Sequence, residues 1–66
     1  MNALGTYRLE RGLSQMDVAR VLKTSKATIS RYESGIRRIP VHVAKLIHAE
    51  FGIPLNEIRP DIWGQQ

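Results

Sequence analysis

Apolar residues recur at helical spacing in two adjacent stretches of the chain, and only about three residues separate these stretches. The apolar positions are Val18, Ala19, Leu22, Ile29 and Tyr32. Two helices joined by so short a turn cross at a steep angle, and the small side chain of Ala19 lets their backbones approach each other. The pattern over residues 14–34 is therefore typical of a helix-turn-helix.

The remaining pattern predicts three further helices and no strand, so the expected fold class is all-α. The five predicted helices span about 3–11, 15–22, 26–34, 41–51 and 55–58. The chain also supplies candidate N-caps, namely Asn2, Ser14 and either Thr24 or Ser25. Pro60 predicts an end to regular helix, which leaves a tail over residues 59–66 that is loose except where Ile62 and Trp63 meet apolar groups.

Charge is distributed unevenly along the chain, whose formal net charge is +4. Between residues 20 and 45 lie seven cations and one acid, Glu33, whereas the other five acids lie outside this segment. The cations are Arg20, Lys23, Lys26, Arg31, Arg37, Arg38 and Lys45. This placement predicts one basic face over the second half of the helix-turn-helix and the loop after it, which suits an anionic partner such as a nucleic acid.

The second helix of the motif turns Lys26, Ala27, Ser30 and Arg31 away from its apolar stripe. In a DNA major groove, Arg and Lys reach guanine O6 and N7, and small apolar groups touch thymine methyls. The alternative is a solvated polar face on an ordinary helical domain, because most exposed charge is only solvated. This face is thus a candidate for base reading.

Length and composition limit the other possibilities. Residues 1–66 make one domain near the lower size limit for a stable core. The lack of cysteine excludes disulfides, thiolate zinc sites and thiol catalysis. Because the chain has neither a long apolar run nor an export signal, we expect a cytoplasmic protein without a membrane segment.

Catalytic and metal-binding patterns are missing from the sequence. His42 and His48 lie six residues apart, about 240° out of phase on a helix, so they predict no metal site. The chain has no Gly-rich phosphate loop, no nucleophile motif and no carboxylate pair in an apolar pocket. We therefore expect neither an enzyme nor a cofactor or small-molecule ligand.

Residues 12–35 carry the pattern G-L-S-Q-x-x-x-A-x-x-x-x-x-S-x-x-T-I-S-R-Y-E-S-G, with which the sequence resembles the XRE family of phage Cro and cI repressors. Further matches are Leu4, Tyr7, Arg8, Pro40, Phe51-Gly52-Ile53 and Asn56-Glu57-Ile58. The resemblance implies a five-helix lambda-repressor-like fold that binds double-stranded DNA. The short length, without room for a cleavable regulatory domain, and the ending Arg59-Pro60-Asp61-Ile62-Trp63 are similar to Cro rather than to cI.

The resemblance also implies roles for individual residues. Its base-reading positions fall on Lys26, Ala27, Thr28 and Arg31. Its phosphate contacts fall on Gln15, Lys23, Ser30, Arg37 and Arg38. Arg8 and Glu33 resemble the pair that ties the first helix to the end of the third, so Arg8 is expected to serve the fold, with a phosphate contact as its alternative role.

One departure from the family pattern concerns the turn of the motif, where Lys23 stands at a position that is commonly Gly. A non-glycine residue with positive φ costs on the order of 1 kcal/mol. The fold can absorb this cost, but the shape of the turn is expected to differ from the family's, which weakens the case for a phosphate contact by Lys23. The loop with Arg37 and Arg38 also differs in register from some relatives, because the fourth helix begins one residue later after Pro40.

The function that follows from this resemblance is that of a Cro-like repressor, which binds a palindromic operator as a weak homodimer. Each third helix would enter one major groove, with half-sites about one helical turn apart. Ile58, Ile62 and Trp63 form an apolar cluster left over after the core is assigned, so we expect them to make the dimer contact. A place over the monomer core and exposure to solvent are the alternatives for Trp63.

Two other functions fit the same fold pattern. An antitoxin or a restriction-modification controller would share the DNA-binding fold, and a co-encoded toxin or methylase gene would identify it. A helical protein-interaction module would lack DNA affinity, and the absence of salt-dependent binding to duplex DNA would identify it.

Overall fold

The computed structural model describes residues 2–64, and this part of the chain contains six helices and no strand. The helices are α1 (Ala3–Glu10), α2 (Gln15–Leu22), α3 (Lys26–Ser34), α4 (Val41–Phe51), α5 (Leu55–Ile58) and α6 (Pro60–Trp63). The all-α class and the bounds of α2 to α5 confirm the sequence prediction, whereas α1 ends one residue earlier than expected, at Glu10. Residues 1, 65 and 66 of the expected domain lie outside the described residues.

The prediction that Pro60 ends regular helix is wrong. Pro60 is the first residue of α6, where a helix needs no backbone N–H and where the fixed φ of proline suits the helical backbone. The backbone N–H groups of Ile62 and Trp63 both donate to the carbonyl of Arg59 at 3.0 Å. Within the expected loose tail, residues 60–63 therefore form a helical turn.

No helix in residues 2–64 has the length and hydropathy to cross a bilayer.

Side-chain caps fix where the two helices of the motif begin. The hydroxyl of Ser14 accepts from the N–H of Asp17 at 3.0 Å, and the N–H of Ser14 donates to the Asp17 carboxylate at 2.8 Å, which is a complete capping box. Ser25, rather than Thr24, caps α3, because its hydroxyl accepts from the N–H of Thr28 at 3.1 Å. These caps satisfy amide groups that the first helical turns leave without intrahelical partners.

Buried hydrophobic residues from five helices and two connecting segments form one core beneath the motif. The core consists of Leu4, Val18, Ala19, Leu22, Ile29, Tyr32, Ile39, Ala44, Ile47, Ile53 and Ile58. All five apolar positions predicted for α2 and α3 are buried, and α2 packs against α3. Ala19 and Ile29 are both 0% exposed, as a close crossing of the two helices requires. The core thus holds α2 and α3 in the helix-turn-helix arrangement.

Lys23 takes the left-handed conformation in the turn between α2 and α3, with φ 57° and ψ 48°. It is the one non-glycine residue with positive φ among residues 2–64. The N–H of Lys23 donates to the Arg20 carbonyl and the N–H of Thr24 to the Ala19 carbonyl, a pairing that ends a helix and reverses the chain. The expectation that Lys23 occupies a glycine-like position is confirmed.

Replacing Lys23 with Gly should increase the free energy of unfolding by up to about 1 kcal/mol. The substitution removes a penalty of about 1–2 kcal/mol for a side chain in the left-handed region, and the greater freedom of Gly in the unfolded chain offsets about 0.4–1 kcal/mol of this gain. Thermal denaturation would measure the change, with Lys23→Ala as the control that removes the charge but keeps Cβ. Equal stability of the two variants would contradict strain at this turn.

Candidate nucleic-acid interface

The helix α3 separates its side chains into an exposed and a buried set. The inner set, Ile29 and Tyr32, is 0% and 5% exposed. The exposed set includes Lys26, Ala27, Ser30 and Arg31, with Ser34 at the end of the helix. Two cations, a methyl group and a hydroxyl therefore project together from one helix, and the cap of Ser25 fixes the first turn from which they project.

Thr28, the fourth predicted base-reading residue, lies in a more restricted environment than Lys26, Ala27 and Arg31. It is half-buried, and its hydroxyl oxygen lies 2.9 Å from the hydroxyl oxygen of Ser25. The structure thus brings three of the four predicted residues to the surface of α3 and holds the fourth beside the helix cap.

Arg8 and Glu33 form a bidentate ion pair between α1 and α3. Nε of Arg8 donates to Oε2 of Glu33 at 2.7 Å, and Nη2 donates to Oε1 at 3.0 Å. The third guanidinium nitrogen, Nη1, donates to the carbonyl of Leu13 at 2.9 Å. The two side chains are only 12% and 8% exposed, and each nitrogen of the guanidinium is committed within the protein. This geometry suits a structural role for Arg8.

Gln15, a predicted phosphate contact, lies in the first turn of α2 and hydrogen-bonds to the same carboxylate. Its Nε2 donates to Oε1 of Glu33 at 3.2 Å, so part of its amide is engaged within the protein. The Arg8–Glu33 pair therefore extends to α2. The sequence resemblance indicated the position of Gln15 on α2 but not this bond, because it joins residues 18 positions apart.

Burial raises the pKa of Glu33, but hydrogen bonds from Arg8 and Gln15 and the positive charge of Arg8 lower it by more. The net pKa of Glu33 lies below its ordinary value of 4.5, and the carboxylate is ionised at neutral pH. The single acid of the basic segment is thus paired with a cation from outside that segment. The exposed cations near α3 keep their charge uncompensated by Glu33.

Among the other predicted phosphate contacts, Ser30 is exposed on α3 and three cations flank this helix. Lys23 is exposed in the turn before α3, and Arg37 and Arg38 are exposed in the loop after it. The nine residues of α3 separate these groups by about 13 Å along the helix axis. Cations at both ends of an exposed polar helix match the charge of a DNA backbone on either side of a groove.

The structure divides the apolar cluster predicted as the dimer contact. Ile58 is only 7% exposed and belongs to the monomer core, so little of its side chain is available to a subunit contact. It is buried because α5 packs against both α1 and α4, and a four-residue helix shows no periodicity from which its inner side could be predicted. Trp63 packs partly against the core, whereas Ile62 remains 41% exposed.

Arg59 organises the start of the C-terminal segment, a role that no motif in the sequence indicated. Its Nε and Nη2 donate to the two carboxylate oxygens of Asp61, and its Nη1 donates to the carbonyl of Ile39 at 2.8 Å. The neighbouring opposite charges were visible in the sequence. The bond to Ile39 was not, because it spans 20 positions of the chain.

The described residues offer little for a metal or an enclosed ligand. No group of three or more His, Asp or Glu side chains in residues 2–64 is arranged to hold a metal ion. Nδ1 of His48 lies 2.8 Å from the carbonyl of Ile53, at the end of α4. A surface cavity of about 300 Å³ lies between the loop after α3 and the C-terminal segment, and another of about 280 Å³ lies between the motif turn and α4.

Substituting Glu33 with Gln should lower the free energy of unfolding at pH 7 by about 3 kcal/mol, because Arg8 would keep its charge in a site that is mostly buried. The lowered pKa of Glu33 means that its contribution is complete above its ordinary pKa of 4.5 and is lost as the pH falls through the folded-state value. The difference between wild type and Glu33→Gln should therefore shrink in acid. Urea denaturation at several pH values would measure it.

The control for this experiment is Glu57→Gln, which removes an exposed carboxylate and should change stability by less than about 0.5 kcal/mol. A pH-independent difference between wild type and Glu33→Gln would contradict a stabilising carboxylate at this position. Equal stability of the two Gln variants would contradict the structural role of the pair.

Comparison with known families agrees with this geometry. A helix-turn-helix family model matches residues 4–58, which is 55 of the 66 residues and spans nearly all of α1 together with α2 to α5. Searches of characterised proteins and of solved structures gave no significant match. The matched family is a DNA-binding regulatory family and not a catalytic one. The chain belongs to the helix-turn-helix family of XRE type and is a DNA-binding regulator.

Proposed function

We propose that this protein is a Cro-like repressor that binds a palindromic operator as a homodimer, with α3 of each subunit in one major groove. The observation that carries the proposal is the exposed set of side chains on α3, which the core, the Ser25 cap and the Glu33 network hold in one orientation. The resemblance to Cro and cI repressors supports the repressor role.

Arg31 and Lys26 are the side chains proposed to read bases. Both are exposed on α3, and a guanidinium can donate two parallel hydrogen bonds to guanine O6 and N7. Ala27, exposed next to Lys26, presents a methyl group that suits contact with a thymine methyl. Thr28 would contribute its hydroxyl from the edge of this face. Because Arg fixes its donors in a plane and Lys does not, Arg31 carries more of the proposed specificity.

Phosphate contacts are proposed for residues on α3 and around it. These are Gln15, Lys23, Ser30, Arg37 and Arg38. Gln15 lies in the first turn of α2, where the positive end of the helix dipole favours an anion. Each cation that neutralises a phosphate steepens the dependence of log K on log salt by about 0.9. Binding by this surface should therefore weaken steeply as salt rises.

The homodimer is proposed to form through the exposed part of the C-terminal segment, where Ile62 offers an apolar side chain. A contact through α3 would bury the proposed reading face, whereas a contact through α6 leaves it free. Two reading helices about 34 Å apart would match successive major grooves. A subunit interface limited to one short helix is weak in solution, and binding to DNA would bring the two subunits together. Occupancy of an operator that overlaps a promoter would exclude polymerase.

The function is tested by selecting bound fragments from random duplex DNA and titrating the enriched sequence at several salt concentrations. A Cro-like repressor should enrich a two-fold symmetric site and bind it tightly with a steep salt slope. Enrichment of no sequence, with no affinity for duplex DNA at low salt, would instead identify a protein-interaction module. An antitoxin or a restriction-modification controller would also enrich a symmetric site. A toxin or methylase gene encoded next to the gene of this protein would identify that alternative.

Arg31→Ala should weaken binding to the selected site by about 1–3 kcal/mol and relax the preference at one base pair, as loss of a bidentate guanine contact predicts. Fluorescence anisotropy on the selected site and on its single-base variants would measure both effects. Arg20→Ala is the matched control, since it removes an exposed cation that pairs with Asp17 on α2. If Arg31→Ala weakened every sequence equally, Arg31 would be a phosphate contact and not a base-reading residue.

Ile62→Ser should weaken binding to the full site about tenfold and reduce cooperativity in protein concentration, while affinity for a half-site stays the same. The physical reason is the loss of apolar area from the proposed subunit contact. Leu9→Ser serves as control, because Leu9 is an exposed apolar residue on α1, 53% exposed. Sedimentation velocity and titrations on full and half sites would measure the change. Unaltered cooperativity in Ile62→Ser would place the subunit contact elsewhere.

A further inference from the structure

We propose that Arg59 is a positioning residue for DNA binding, which holds the loop between α3 and α4 so that Arg37 and Arg38 can meet phosphates. The inference rests on the proposed function, because it assigns a purpose to a loop whose cations are proposed phosphate contacts. It adds a residue that lies in the C-terminal segment, outside the helix-turn-helix.

The Arg59 side chain connects the C-terminal segment to the loop between α3 and α4. Its Nη1 donates to the Ile39 carbonyl at 2.8 Å, while Nε and Nη2 donate to the two oxygens of Asp61 at 3.0 and 2.5 Å. The guanidinium is fixed on both edges and is only 11% exposed. Because its charge is paired with Asp61, Arg59 itself is poorly suited to bind a phosphate, and its contacts are directed to the protein.

The Ile39 carbonyl is a point at which the loop needs a partner. The residue precedes Pro40 and lies outside the helices, so its carbonyl has no place in a helical hydrogen-bond ladder. The Ile39 side chain is 4% exposed in the core. A donor that reaches this carbonyl fixes the backbone directly after Arg38, and Arg59 supplies that donor.

The opposite end of the loop is fixed by the N–H of Arg37, which donates to the carbonyl of Arg31 at 3.2 Å. Between the loop and the C-terminal segment lies the cavity of about 300 Å³, which both arginines and Arg59 line. The hydrogen bond from Arg59 crosses from the C-terminal segment to the loop, beside the Ile39 side chain that packs in the core. Ile36, next to Arg37, is 80% exposed and adds little packing.

Asp61 sets the orientation of the Arg59 guanidinium, since both of its oxygens accept from the same planar group. The hydrogen bond from Arg59 lowers the pKa of Asp61. Arg38 lines the same cavity as Arg59 and Asp61. Because Arg59 fixes the carbonyl of the next residue, Ile39, Arg38 enters a complex with its backbone already ordered. Less conformational freedom is then lost on binding than from a mobile loop.

The experiment compares wild type with Arg59→Lys, which keeps the charge but cannot donate to Ile39 and both Asp61 oxygens in one plane. Affinity for a 20-base-pair duplex is measured by anisotropy between about 50 and 200 mM salt, a range over which phosphate contacts dominate the change. Each protein is also measured with Arg38→Ala added. Arg20→Lys provides the same chemical change at an exposed pair on α2.

In wild type, Arg38→Ala should reduce the salt slope by about 0.9, the value for one phosphate contact. Arg59→Lys should reduce the slope by about 0.9–1.8, because one or both loop arginines lose their phosphate contact, and Arg38→Ala should then reduce it little further. Arg20→Lys should leave the slope unchanged. A wild-type slope in Arg59→Lys, together with a full effect of Arg38→Ala in both backgrounds, would overturn the proposal even if the melting temperature fell.

Asp61→Glu provides a second variant at an exposed position, so the proposal stays testable if Arg59→Lys does not fold. It keeps the charge but changes the reach of the acceptor, and should reduce the slope in the same direction, whereas the control Glu57→Asp should not. A wild-type slope in a folded Asp61→Glu protein would overturn the proposal. If Arg37→Ala and Arg38→Ala leave the wild-type slope unchanged, the loop is no phosphate contact, and both the loop assignment and this inference fail while base reading by α3 is still tested by Arg31→Ala.

Discussion

The carboxylate of Glu33 accepts hydrogen bonds from two other helices, through Arg8 on α1 and Gln15 on α2. One charged group therefore fixes the relative placement of three helices, including the one that carries the proposed reading face. A chain of 66 residues buries a small core, and this mostly buried ion pair adds to the packing that fixes the orientation of the helices. The pairing also explains why the single acid of a strongly basic segment does not weaken that segment's field.

The turn of the motif sets a second constraint, because α3 must begin where α2 has just ended. Lys23 reverses the chain in the left-handed region, and Ser25 starts the new helix two residues later. A glycine would relieve the strain at the reversal but would remove a cation from the edge of the proposed interface. Lys23 thus both strains the backbone and places a positive charge at the edge of the proposed interface. Strained residues often lie at functional sites.

The helix-turn-helix was predictable because its signals are local. Caps at Ser14 and Ser25 and the spacing of Val18, Ala19 and Leu22 lie within a few residues of the helices that they define. The C-terminal segment was not predictable to the same degree. Proline is compatible both with the end of a helix and with its first turn, so the sequence alone did not show that Pro60 begins α6. The burial of Ile58 depends on the packing of α5 against other helices.

The same distinction applies to the candidate site. Exposure of Lys26, Ala27 and Arg31 follows from helical periodicity, and so the sequence was sufficient for that face. The bond from Gln15 to Glu33 and the bond from Arg59 to Ile39 join residues that are 18 and 20 positions apart. A pattern within one helix carries no information about such contacts, which depend on the way the helices pack.

Trp63 is the one tryptophan of the chain, and its indole lies on α6, partly packed against the core. The exposed face of α3 and the loop after it carry no tryptophan that could stack on bases. Indole emission is therefore an intrinsic optical signal of the C-terminal segment. When DNA is added, a change in that emission would report the C-terminal segment as two subunits meet on the operator, in an unlabelled molecule and in real time.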